Sequence, residues 1–176
     1  MFLDPRIIIM LGTNALLLYL TMLLNSALSD WSLYLVLLGP MLVLPAIFLR
    51  HRSYFFCMLL SGLWVDAALP VPFGLITIGF LSMGAFIFQV RFRFRAEHNY
   101  HPNILAHSCN FGCIVLLTLI TGFKHLSVSG FWIQVVSTSL LSHLLLLIVA
   151  PWFFNLQRLL FELCRLETEP EDFPIT

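Results

Sequence analysis

The chain has 176 residues, 60% hydrophobic and 10% charged, with zero formal net charge and a mean hydropathy of +0.94. Soluble domains carry about a quarter of their residues as charges, so this composition excludes one and points to a polytopic membrane protein. Zero net charge also excludes a global field that would gather nucleic acid, and the short polar gaps leave no room for a second folded domain.

Six apolar segments follow, each roughly 17 to 25 residues long, as a helix crossing a hydrocarbon core requires. They cover 7–28, 31–49, 54–69, 73–90, 104–123 and 131–154. The expected fold class is all-α: a polytopic bundle of six transmembrane spans over 1–155, an amphipathic cytoplasmic stretch over 156–166 and a disordered acidic tail over 167–176. The first segment follows Arg6 and ends in Ala27-Leu28-Ser29, which resembles a signal cleavage site. Its apolar run is too long for a signal core, so it reads as a retained signal anchor.

The second segment is interrupted by Gly39-Pro40 and Pro45. Proline removes a backbone donor and clashes one turn back, so the segment is either a kinked span or an interfacial piece followed by a short helix starting at Pro40, and a kinked or partly re-entrant span is expected. A helix from Pro40 to Arg50 reaches only about 17 Å, against a core of about 30 Å.

The third segment contains Asp66, an acid within an apolar run with no cation near it in sequence. Such a group costs several kcal/mol in a membrane unless it is paired, hydrogen-bonded or hydrated. It stands about one turn from the segment's end, just before Pro70-Val71-Pro72-Phe73-Gly74. The amides at the start of the next helix attract a carboxylate, whereas the end of its own helix repels it. The two prolines stiffen the turn and Gly74 permits close approach or positive φ. Asp66 is therefore expected to lock the hairpin of the third and fourth helices, with Lys124 and His125 as alternative partners.

In the fifth segment, His107, Cys109, Asn110 and Cys113 fall within two turns. No carboxylate or second cysteine pair completes a metal site, so they read as polar groups bridging helices, and no metal or cofactor is expected. Asn14, Gln134, Ser137, Thr138, Ser139, Ser142 and His143 take the same reading, although the hydroxyls of the sixth segment could line a cavity. Cys57 and Cys164 read as unpaired thiols. Beyond the sixth segment, Leu156, Leu159, Leu160 and Leu163 recur at helical spacing, with Gln157, Arg158, Glu162 and Arg165 on other faces. This reads as the last helix continuing along lipid headgroups.

Lysine and arginine orient the segments. Arg6, Arg50, Arg52, Arg91, Arg93, Arg95, Arg158 and Arg165 fall on one side and only Lys124 on the other. By the positive-inside rule both termini are cytoplasmic, and the 91–95 run is a topology anchor that attracts anionic lipid, not nucleic acid. No metalloprotease, serine-hydrolase or phosphate-loop motif is present, and no second carboxylate divides acid and base roles with Asp66, so an enzyme is not expected.

The pattern Gly62-x3-Asp66-x5-Pro72-Phe73-Gly74, followed by an apolar helix and a basic loop, resembles the signature of the MreD family of bacterial rod-shape-determining membrane proteins. Pro40, opening an apolar run that ends in Arg50-His51-Arg52, is similar to that family's second segment. Met41, where the family often carries an acid or amide, and Leu69-Pro70, where it has Ser-Gly, depart from it. The resemblance implies an inner-membrane scaffold of the cell-wall elongation complex that maintains cell shape. It also implies an MreC-like single-span partner and indirect association with the MreB filament and the RodA–transpeptidase pair. The alternative is the substrate-binding S component of an energy-coupling-factor vitamin transporter, which has a similar size and span number. Its pocket would draft Asp66, Trp64, Trp132 and Gln134, although the Ala-x3-Ala contact of such components is missing around Ala15. A third reading, a proton-coupled carrier using Asp66 and His143, lacks a relay because the two differ in depth.

Overall fold

The computed structural model describes residues 5–31, 33–96, 102–122 and 128–166, with side chains described throughout these except at 90–96. Among the described residues there is no strand. The elements are α1 (Pro5–Leu28) with a trailing 3-10 turn (Ser29–Trp31), α2 (Gly39–Phe48), α3 (His51–Ala68), α4 (Leu75–Ala96), α5 (Pro102–Gly122) and α6 (Ser129–Leu163). Prolines open α1 and α5, where the missing N–H is one the helix leaves unpaired anyway. Three helices, α1, α5 and α6, are long and apolar enough to cross a membrane. A shorter apolar stretch, Leu75–Gln89, lies within α4, and His51, Arg52 and Asp66 dilute the apolar character of α3.

The centre of the molecule is α2. Nine of its ten residues are buried, and it touches each of the other five helices. Segment 31–49 is therefore not one kinked helix: residues 33–38 are non-helical and α2 supplies only about 15 Å of helix. Together they run the length of the bundle. Leu35 meets Asn25 near the end of α1, while the Phe48 ring packs edge-on against Phe161, 6.0 Å away, near the end of α6. Tyr54, Phe80, Met10, Met41 and Met58 fill the core around α2.

Helices α3 and α4 form the most extensive helix pair. At the end near Arg50 and Arg52, the Tyr54 ring stacks on Phe88 at 5.6 Å and His51 meets the same ring edge-on at 4.8 Å. The positions of Arg91, Arg93 and Arg95 lie in the last turns of α4, at this same end. The opposite end carries the 69–74 turn.

One helix, α6, runs 35 residues through Pro151 and takes in most of the stretch 156–166. Its inward residues there are Gln157 and Phe161, while Leu159 and Leu163 face outward, so Gln157 leaves the polar face on which the sequence places it. The reason is that the Gln157 amide is satisfied inside: its Nε2 donates to Thr13 Oγ1 at 2.6 Å. The tail 167–176 lies outside the described residues.

Candidate functional site

Two non-helical passages concentrate the molecule's polar chemistry. The first is the turn after α3. Asp66 is buried, and its Oδ1 accepts from the Ile76 N–H at 2.9 Å, while its Oδ2 accepts from the Thr77 N–H at 3.0 Å and the Thr77 hydroxyl at 2.5 Å. Ile76 and Thr77 belong to the first turn of α4, whose amides have no partner within their own helix. The carboxylate thus caps the helix that follows, at the positive end of its dipole.

The motif residues around Asp66 share this task. Gly62 lies one turn earlier on the same face, and a β-carbon there would come within 2.7 Å of Thr77 Cα, so its absence lets α4 approach closely enough for the carboxylate to reach. Gly74 takes φ +93°, open to glycine and strained for other residues. Pro72 accepts from the Leu75 N–H at 3.2 Å, and Phe73 is exposed at the turn. Lys124 and His125, the alternative partners of Asp66, lie outside the described residues.

The second passage, 33–38, crosses the interior and borrows its hydrogen bonds from three helices. From α1, Asn25 takes both polar groups of Leu35: its Oδ1 accepts from the N–H at 2.6 Å and its Nδ2 donates to the C=O at 3.0 Å. From α5, Asn110 Oδ1 accepts from Leu38 N–H at 3.0 Å and Gly39 N–H at 3.1 Å, and its Nδ2 donates to Val36 C=O at 2.8 Å. From α6, Ser142 Oγ accepts from Val36 N–H at 2.9 Å. Asn110 therefore caps α2 from another helix. Pro40 sits in that first turn and has no N–H to satisfy.

Pro45 removes a helical donor and frees the Met41 carbonyl one turn back. Asn14 of α1 answers it, its Nδ2 lying 3.4 Å from that oxygen and donating to Ser61 Oγ at 3.0 Å. In a bilayer interior, irregular backbone is tolerated only where the protein buries it or where it lines a cavity. Passage 33–38 does both.

Beside it lies a half-open cavity of about 310 Å³ bordered by α1, α5, α6 and the 69–71 turn. Its walls include Leu37, Val71, Ile114, Thr118, Val135 and Thr138. Among the described residues no Asp, Glu, Lys, Arg or His lines it. Of the four residues drafted for a pocket, only Gln134 reaches this wall. Asp66 is spent on α4, and Trp64 and Trp132 are about half exposed on the outside of the bundle.

Of the remaining polar residues, two histidines join helices, whereas Ser137, expected to bridge, bonds back to the Ile133 and Gln134 carbonyls of its own helix. His107 of α5 and His143 of α6 stack with centroids 5.2 Å apart, and one Nδ1–H donates to the other Nδ1 at 2.9 Å. Asp66 is not part of this pair. Cys57, Cys109 and Cys113 are buried free thiols.

Asn25 escaped the sequence reading altogether, and the backbone roles of Asn110, Ser142 and Asn14 were not legible as such. A signal existed in the two prolines and the glycine of 39–45. They strand backbone groups in an apolar setting, and amides elsewhere in the chain are the natural partners. Comparison with protein-family models, curated proteins and solved structures finds no match to this chain.

Proposed function

We propose that this chain is a six-span, non-enzymatic membrane scaffold of the MreD type, a subunit of the bacterial cell-wall elongation complex that helps maintain cell shape. In this reading 33–48 is the second span, the overall fold is S-component-like, and both termini sit with the arginine-rich end on the cytoplasmic side of the inner membrane. The single observation that carries it is the use to which Asp66 is put. The one buried carboxylate among the described residues is consumed in capping α4, and Gly62 and Gly74 serve that same lock. A group committed to three hydrogen bonds within its own chain is an architectural device, and the residues of the resemblance are the ones that build it.

The partner expected is an MreC-like protein with one transmembrane helix, through which the MreB filament and the RodA–transpeptidase pair associate indirectly. The test is co-purification from membranes of cells expressing tagged wild-type chain or the Asp66→Ala variant. Wild type should retain a single-span partner with a periplasmic domain, and the variant should lose it together with rod shape. Retention of the partner and normal shape in the variant would overturn the reading. The vitamin-transporter reading keeps one observation in its favour, the cavity with Gln134 at its wall. Stabilisation of the purified chain by a water-soluble vitamin would move the assignment there.

A further inference from the structure

We propose that the cavity beside passage 33–38 binds a neutral amphiphile, a largely apolar body carrying one or two uncharged hydrogen-bonding groups. This goes beyond the scaffold reading and does not depend on its partner assignment.

The cavity is built into the architecture. Its floor includes Leu35, Val36, Leu37 and Leu38, the passage whose backbone requires Asn25, Asn110 and Ser142 to satisfy it. A helix through this stretch would satisfy its own backbone and need none of those side chains. The volume, about 310 Å³, lies at the lower end of the range for small-molecule sites, which are mostly apolar with a few placed polar groups.

The lining selects the ligand's chemistry. With no charged side chain among the described lining residues, a charged ligand would lose its hydration without compensation. The polar groups offered are neutral. Thr118 of α5 and Thr138 of α6 are among the threonines of its walls. Thr21 and Thr121 donate back to the carbonyls of Leu17 and Leu117, which leaves their oxygens as acceptors. Met22, Tyr34 and Gln134, at least partly exposed, form a rim through which a ligand can enter.

The test uses the full chain in phosphatidylcholine nanodiscs with three photoreactive probes of equal chain length, ending in a hydroxyl, a carboxylate or a trimethylammonium group. Labelled peptides are mapped by mass spectrometry. The alcohol should label peptides spanning 34–38, 114–121 and 131–138 about tenfold more than either charged probe. Val135→Trp, which fills the cavity, should abolish that labelling with little change in the unfolding midpoint, while Ile133→Trp on the exposed face should leave it intact. Equal labelling by all three probes, labelling confined to outward residues such as Leu140 and Leu144, or undiminished labelling in a folded Val135→Trp protein would overturn the proposal. If Val135→Trp does not fold, competition by excess non-photoreactive alcohol replaces it, and lack of competition counts against the site. Native mass spectrometry then distinguishes sources. A neutral lipid retained from the cell membrane, or binding only of an added water-borne alcohol, each supports the site, and neither binding opposes it.

Discussion

The two non-helical passages, 69–74 and 33–38, face the same problem and solve it at different range. Both lie between helices and both leave backbone groups in need of partners. Beyond the 69–74 turn, the first amides of α4 are served from ten and eleven residues away by one carboxylate. Passage 33–38 is served from 10 residues away by Asn25, but from 71 to 74 away by Asn110 and 106 away by Ser142. A local lock needs one residue and forms with its own hairpin. A distributed lock needs three helices in place before all of its bonds can form, so its completion is tied to assembly of the whole bundle.

The largest effect is expected at Asn110. Asn110→Leu removes the acceptor for two buried N–H groups and the donor to a buried carbonyl, at about 1 to 3 kcal/mol each when left unpaired. A loss of about 3 to 9 kcal/mol is comparable to the whole stability of a small domain. Reversible unfolding in detergent checks it, and a loss below about 1 kcal/mol would break the contrast between the two passages.

Asp66→Ala should cost less, about 2 to 4 kcal/mol, because it strands two backbone groups where Asn110→Leu strands three. Asp66→Asn keeps one acceptor oxygen and should recover roughly half of that loss. If the asparagine variant is as unstable as the alanine one, charge at the helix start matters more than hydrogen bonding.

Gly62→Ala forces a β-carbon against the backbone of Thr77 and should cost about 1 to 3 kcal/mol; Gly74→Ala, strained at φ +93°, about 1 to 2 kcal/mol. Combining Gly62→Ala with Asp66→Ala should cost less than the sum, since both act on one contact. Strict additivity would separate them. The smallest effect belongs to Trp64→Ala and Trp132→Ala, within about 0.5 kcal/mol of wild type by the same unfolding measurement.

This contrast also explains what was legible in the sequence. Asp66, Pro72 and Gly74 stand within nine residues, so helix-dipole and turn chemistry sufficed to anticipate their juxtaposition. The helix locations followed from apolar runs. Segment 31–49 resisted because its hydropathy resembles an ordinary span, while its form is decided by Gly39, Pro40 and Pro45 and by amides far along the chain. Gln157 was misplaced for a related reason. Hydropathy assigns an amide outward unless its partner is known, and Thr13 lies 144 residues away. The cavity follows from the same long-range arrangement, and its one local signature was the run of hydroxyls in the sixth segment, of which Thr138 lines it.

Amide hydrogen exchange of the full chain in nanodiscs, read on peptides covering 33–39 and 69–77, tests the distributed lock most directly. The account predicts that 33–39 exchanges as slowly in wild type as the interior of α2, and that Asn110→Leu accelerates it while Asp66 continues to protect Ile76 and Thr77. Rapid exchange of 33–39 in wild type, or exchange there indifferent to Asn110, would contradict it.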